Sequence, residues 1–231
     1  MKKIALHIAA VSILASTAAQ AVSTMYDVTY TTNWTTANDA TTPGSAHFSP
    51  LIGATHNSSV EFGAVGMSAT AGIQQMAETG GTSMLTGEIN STLNANQVIS
   101  QAGLGAVATT TFTITVDSNF SMVSLFSMIA PSPDWYIGVR NFDLRSGGNW
   151  ISSSTQTFTN YDAGTDNGSG FTSGNSASSD NVALLSVAHS DRFAGMGGQT
   201  IATLSFTQVP EPSTTLLSGV ALLSLGLRRK R

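Results

Sequence analysis

The segment 109–116, TTTFTITV, alternates polar and apolar side chains with a period of two. Successive side chains of an extended strand point to opposite faces, so Phe112, Ile114 and Val116 share one face and threonines occupy the other. A helix would scatter the same apolar residues around its axis. The pattern therefore predicts a β-strand with one buried face.

Other strand-like segments recur along the chain. In 135–139, Trp135, Ile137 and Val139 share a face, and 121–129, SMVSLFSMI, is apolar on both faces, as expected for a central strand. The remaining predicted strands are 26–30, with Tyr26, Val28 and Tyr30 on one face, 181–188 and 201–206.

One helix is predicted over 68–78, SATAGIQQMAE, where Ile73 and Met76 face inward and Ser68 caps the first turn. The composition of 168–181, GSGFTSGNSASSDN, predicts a mobile loop. Short strands punctuated by Gly, Asn, Asp and Ser indicate an all-β fold, an antiparallel β-sandwich with one short helix.

Composition excludes several classes of function. The chain has no cysteine, so disulfides, thiol catalysis and thiolate metal sites are excluded. Segment 22–208 contains three basic and twelve acidic residues, a net charge of about −9. Nucleic acid is therefore not an expected partner, since phosphate binding needs basic clusters. The charge suits cation binding instead.

Residues 1–21 have the pattern of a secretory signal peptide. Lys2 and Lys3 precede the apolar stretch 4–15, and small residues follow, ending in Ala19-Gln20-Ala21. A membrane anchor is the alternative, but the apolar stretch is too short to span a bilayer comfortably. The chain is therefore predicted to be exported.

Residues 209–231 resemble the PEP-CTERM sorting signal of Gram-negative bacteria. Val-Pro-Glu-Pro at 209–212 precedes an apolar stretch, 213–227, and a basic cluster, 228–231. The stretch would form a helix roughly 22 Å long, a marginal membrane span. An amphipathic helix is disfavoured because the basic residues form one block. The resemblance implies an exosortase-type protease as partner, transient anchoring in the inner membrane, and sorting to the cell surface or extracellular matrix.

Three aspartates are candidate metal ligands. Asp162-Ala-Gly-Thr-Asp166 places two carboxylates around a glycine, and Asp134 lies where a strand is predicted to begin. A tight loop of this kind can direct carboxylates and carbonyls at Ca²⁺, which takes six to eight oxygens at about 2.3–2.6 Å. Spacing alone favours a solvated turn, because loops that combine aspartate and glycine are common and usually bind nothing.

Three longer stretches, together with Asn33-Trp34, resemble the spondin N-terminal domain of animal and bacterial secreted proteins. They are AHFSPLIGATHNSS (46–59), MIAPSPDWYIGV (128–139) and YDAGTDNG (161–168). The resemblance covers roughly 26–209, so 22–208 is assigned to one domain of this type. It implies an antiparallel β-sandwich.

Animal members of that family are extracellular matrix adhesion proteins that carry calcium. The resemblance therefore implies Ca²⁺ as cofactor, with Asp134, Asp162 and Asp166 as its ligands. The leading hypothesis is a non-enzymatic, calcium-binding surface or matrix module that binds a polysaccharide or surface protein. One alternative is a hydrolase of matrix polysaccharide, with Asp134 and Asp162 as its acid/base pair. Another is a structural biofilm component that uses calcium only for folding.

Two histidines lie in the first of those stretches. His47 and His56 could bind a metal or act as bases, but histidines in such loops more often hydrogen-bond the backbone and fix its shape. We expect the second role.

Overall fold

A computed structural model describes residues 22–37, 39, 41–188 and 200–210. The predicted signal peptide and nearly all of the predicted sorting signal lie outside these residues. Within the described part, no helix is both long enough and apolar enough to cross a membrane.

Strands account for most of the regular structure in the described part of the chain. They are β1 (Ser23–Asn33), β2 (His47–Phe48), β3 (Leu51–His56), β4 (Ala95–Gln101), β5 (Leu104–Gly105), β6 (Val107–Asp117), β7 (Met122–Ala130), β8 (Trp135–Asp143), β9 (Arg145–Ser146), β10 (Asn149–Trp150), β11 (Ser153–Thr157), β12 (Thr159–Asp162), β13 (Ala183–Leu184) and β14 (Ala202–Gln208). The helices are α1 (Ala71–Thr79), α2 (Ser83–Ser91) and α3 (Leu185–Ala188).

Two antiparallel sheets form a sandwich, which confirms the predicted fold class. The first sheet has the order β11-β14-β1-β6. The second has the order β13-β12-β8-β7, and β7 continues to both β3-β4 and β2-β5. The inward faces of the two sheets meet in one apolar core.

The period-two predictions are confirmed. On β1, Tyr26, Val28 and Tyr30 are fully buried between exposed or half-buried neighbours. On β8, Trp135 and Ile137 are likewise fully buried in the core between the sheets. Strand β7 is buried on both faces, because α1 and α2 cover the outer face of the second sheet.

The helix prediction is confirmed for its inward residues but not for its cap. Ile73 and Met76 of α1 are fully buried. Thr70, not Ser68, caps the helix: its hydroxyl accepts a hydrogen bond from the amide of Ile73 at 3.2 Å. The Ser68 hydroxyl instead donates to Asn181, 3.3 Å away.

Of the predicted strand over 181–188, only β13, two residues long, is a strand. Only β13 is extended, because β12 offers it just two partners, Tyr161 and Asp162. The chain then turns into α3, which begins at the buried Leu185. Segment 168–181 has no helix or strand, only isolated bridges at Ala177 and Asn181, and its mobility stays a prediction.

Candidate metal centre

Asp134 ends the connection between β7 and β8. This connection begins with the cis peptide Ala130–Pro131 and is closed by Ser132, whose hydroxyl accepts a hydrogen bond from the amide of Trp135 at 3.0 Å. Because Trp135 anchors the first position of β8 in the core, the preceding aspartate is held at the sheet edge. None of the Asp134 surface is exposed.

The loop after β12 lies directly opposite Asp134. Strand β12 pairs with β8, and the amide of Ala163 donates to the backbone carbonyl of Asp134 at 3.1 Å. Gly164 then turns the chain with φ +72°, and its amide donates to Asp162 Oδ1 at 2.7 Å. A Cβ at Gly164 would lie 2.5 Å from the carbonyl oxygen of Asp180, so only glycine fits the turn.

The two carboxylate oxygens of Asp134 have different environments. Oδ2 accepts hydrogen bonds from the amides of Thr165 and Asp166, at 2.7 and 3.1 Å, and contacts the Thr165 hydroxyl at 3.3 Å. Oδ1 is buried and has no hydrogen-bond partner among the described residues. A buried carboxylate oxygen left in this state is energetically costly.

The electrostatics of Asp134 also indicate that its ionised form is energetically costly. Burial, and then the negative charge of Asp162, raise the pKa of Asp134 to about 6, although hydrogen bonds from Thr165 and Asp166 act against the rise. Among the described residues, no positive charge compensates the ionised form of Asp134.

Asp166 organises its own loop. Its Oδ1 accepts from the amide of Gly168 at 2.7 Å, and its Oδ2 accepts from the amide of Ser176 at 2.8 Å. The structure thus brings Asp134 against the backbone of 162–166 but commits both Asp166 oxygens to the loop. In residues 22–37, 39, 41–188 and 200–210, no three His, Asp or Glu side chains form a group that could hold a metal ion.

Thr165 is a site residue that sequence reasoning missed. Its amide and hydroxyl both contact Asp134 Oδ2 and fix the orientation of this carboxylate. The only available signal was its position between Gly164 and Asp166. Threonine is common in loops, so this signal could not have distinguished Thr165 from its neighbours.

The expected structural role of the histidines is confirmed. His56 is fully buried, and its Nδ1 donates to the carbonyl of Asn57 at 2.9 Å while its Nε2 lies 2.8 Å from the Ser124 hydroxyl. His47 Nδ1 lies 2.7 Å from the carbonyl of Ser45. Each ring thus hydrogen-bonds a backbone carbonyl close to it in the sequence.

Acid is expected to destabilise the fold through His56. Burial lowers the pKa of His56 below its usual value of 6.5, against opposing effects of Asn57 and Glu61. Below pH 6.5 the unfolded chain therefore binds this proton more readily than the folded chain, and stability falls. Urea unfolding at pH 7.5 and 5.5 should show a smaller pH effect in His56→Gln than in wild type. An unchanged pH effect in the variant would contradict this role.

The fold and the buried loop site define an antiparallel β-sandwich module with helices over one outer face. The family model Spondin_N matches residues 24–212, and a PEP-CTERM protein-sorting motif matches residues 208–231. The chain belongs to the Spondin_N family. Its sorting motif marks it as an exported protein processed by an exosortase-type system. Both resemblances inferred from the sequence are thereby confirmed.

Animal spondins are among its relatives. Spondin-2 of Homo sapiens is 32% identical over 161 residues, covering 66% of this chain and 49% of that protein. Spondin-1 of Gallus gallus is 27% identical over 157 residues, covering 62% of this chain and 19% of that protein. The chain thus spans about half, or less, of the length of these relatives.

Proposed function

We propose that this protein is a calcium-dependent, non-enzymatic interaction module of the cell surface or extracellular matrix. The single observation that carries the proposal is Asp134 Oδ1, a buried carboxylate oxygen with no partner beside a second acidic residue. A cation at this position would supply the missing positive charge. The export signal supports an extracellular location, where Ca²⁺ is abundant.

Asp134 and Asp162 would hold the ion, together with backbone carbonyls of the surrounding loops. Asp166, which was predicted as a third ligand, would shape the loop through its two backbone hydrogen bonds. Ca²⁺ suits such a site because it accepts carbonyl and carboxylate oxygens in flexible geometry, whereas Mg²⁺ requires a rigid octahedron. Zinc is disfavoured by the absence of cysteine from the chain.

The bound ion would keep the loops 131–134 and 162–168 in one arrangement. These loops already interlock: a Cβ at Gly168 would lie 2.5 Å from Pro133 Cγ. Calcium coordinated by both loops would link them where they touch. The surface that they present to a partner would therefore depend on calcium.

The alternative of a hydrolase is disfavoured by burial. Asp134 has no exposed surface, and Asp162 is 6% exposed, so a glycan cannot approach this pair of carboxylates in the folded protein. A purely structural biofilm component, with calcium used only for folding, differs from our proposal by lacking a calcium-dependent partner.

Matrix retention tests the proposal. The purified full-length protein should bind isolated extracellular matrix of a bacterium that carries this sorting system in about 2 mM Ca²⁺. This concentration exceeds the dissociation constants of about 10⁻⁴–10⁻³ M that are typical of extracellular calcium modules. EGTA should release the protein. Asp134→Asn should bind weakly in both conditions. Retention that is identical with Ca²⁺ and with EGTA would contradict a calcium-dependent module and favour the structural alternative.

Calcium affinity is expected to fall in acid. The ion needs Asp134 ionised, and the pKa of this carboxyl in the folded, calcium-free protein is raised to about 6. At pH 5 roughly one molecule in ten would be ionised, so calorimetry should give an affinity about tenfold weaker at pH 5 than at pH 7.5. Equal affinities at the two pH values would exclude Asp134 as a ligand.

We also propose that residues 213–227 anchor the protein transiently in the inner membrane before the tail is removed. This stretch lies outside the described residues. The sorting motif supports the proposal, since its hydrophobic segment serves as a removable address.

A further inference from the structure

The outward face of the first sheet carries a regular grid of hydroxyl groups. The strand registers place twelve outward side chains in three rows across β11, β14, β1 and β6. Eleven are threonine or serine, and none is buried. The rows are Ser153-Thr207-Asp27-Thr113, Thr155-Ser205-Thr29-Thr111 and Thr157-Thr203-Thr31-Thr109.

Neighbouring hydroxyls in this grid orient one another. Thr29 and Thr111 are joined by a hydrogen bond of 3.2 Å, as are Thr31 and Thr109. Strand spacing and rise give the grid sides of about 14 Å. The array therefore presents fixed donors and acceptors, together with threonine methyl groups, over an area that several sugar rings would cover.

One end of the grid opens into a cavity of about 510 Å³. The row Thr31, Thr109 and Thr203 forms one wall, and Asn33 and Val107 are among the other lining residues. Asn33 contributes an amide, which can both donate and accept. Val107, at 65% exposed, contributes an apolar surface.

The chemistry of this surface selects a neutral ligand rich in hydroxyl groups. Among the described residues, no charged side chain lines the cavity. Asp27, in the row farthest from the cavity, is the one charged member of the twelve grid residues. An anionic polymer would find no cation among the described residues of this surface and would meet a domain with a net charge of about −9. Hydroxyl and amide groups with small apolar surfaces match the alternating O–H and C–H groups of an uncharged sugar ring.

We infer that the hydroxyl grid and its cavity bind a neutral polysaccharide, with one sugar unit in the cavity and the chain lying across the threonine rows. This deepens the proposed function by naming the partner class, and it rests on that function only for the extracellular setting. The grid belongs to the first sheet, whereas the calcium site belongs to the second, so each can fail without the other.

Affinity electrophoresis of the full-length protein tests the inference. Gels would contain dextran, galactomannan, mixed-linkage β-glucan or, as the anionic comparison, alginate. We expect at least one neutral polymer to retard the wild type, and alginate not to do so. Thr109→Arg, which fills the cavity mouth, should weaken binding at least tenfold, a change of about 1.4 kcal/mol.

Thr115→Arg is the matched control. It adds the same charge on the same face of β6, about 20 Å from the cavity, and should bind as wild type does. The inference is overturned if no neutral polymer retards the protein, if alginate alone does, or if the two arginine variants behave alike. A calcium-dependent melting shift that persists in any of these cases leaves the proposed function standing.

Discussion

Removing Ca²⁺ is expected to lower the melting temperature of the full-length protein by about 5–10 °C. A ligand present at about 100 times its Kd stabilises the folded state by about 2.7 kcal/mol, and each kcal/mol shifts the melting temperature of a domain of this size by about 2–4 °C. The reason lies at Asp134: without a cation its Oδ1 is buried and unpaired, close to the charge of Asp162.

Wild type and Asp134→Asn should differ in stability in opposite directions with and without calcium. The amide oxygen of asparagine can still accept the hydrogen bonds from Thr165 and Asp166, while the buried charge is removed. In EGTA at pH 7.5 the variant should therefore melt at or above the wild-type temperature, because the raised pKa of Asp134 shows that its charge is unfavourable there. In Ca²⁺ the wild type should be the more stable protein.

Asp143→Asn controls for the loss of one negative charge. Asp143 is exposed at the opposite end of β8, where it accepts hydrogen bonds from Ser121 and Arg145. This variant should keep the full calcium shift. Differential scanning fluorimetry of the three proteins in Ca²⁺ and in EGTA gives the comparison, and a wild-type calcium shift in Asp134→Asn would contradict the proposed site.

Gly53→Ala is expected to prevent folding. Gly53 lies in β3 between β4 and β7, and a Cβ there would sit 1.9 Å from the carbonyl oxygen of Ser124 and 2.8 Å from its carbonyl carbon. Both atoms belong to the backbone of β7, so the clash can be relieved only by separating two paired strands. We expect a loss of more than about 4 kcal/mol, which few domains survive.

Gly105→Ala is the matched control for a glycine in a strand. Apart from the atoms of its two chain neighbours, no described atom lies within 4 Å of a Cβ built at Gly105 in β5, so we expect stability within about 0.5 kcal/mol of wild type. Soluble yield, far-UV circular dichroism and urea midpoints would be compared. A Gly53→Ala protein with a midpoint close to wild type would show that β3 and β7 are not packed as described.

Local sequence patterns predicted the sandwich because polar and apolar residues alternate along a strand that has one buried face. This alternation does not depend on which strands are its neighbours. Tyr26, Val28 and Tyr30 fit a half-buried strand whatever its partners are. Helix α2 was not predicted, because its sequence SMLTGEINS has a central glycine and few strong helix formers. Its buried residues Leu85 and Ile89 pack in the outer core shared with α1, so tertiary contacts determine this helix.

Contacts between residues that are distant in the sequence could not be predicted, and the details of the site depend on such contacts. Carboxylates in tight loops pointed to Asp134, Asp162 and Asp166, but which oxygens are already bonded depends on backbone amides placed by folding. The ion pair of Arg140 with Glu61 is a comparable case, since 79 residues separate its partners. No local pattern carries such information.

A crystal structure of the calcium-soaked protein, with anomalous diffraction data, tests the central claim most directly. We predict one anomalous peak bonded to Asp134 Oδ1, and its absence in crystals of Asp134→Asn. If Oδ1 were instead hydrogen-bonded to water, and no peak lay between Asp134 and the 162–166 loop, the protein would not be a calcium-binding module of the kind proposed.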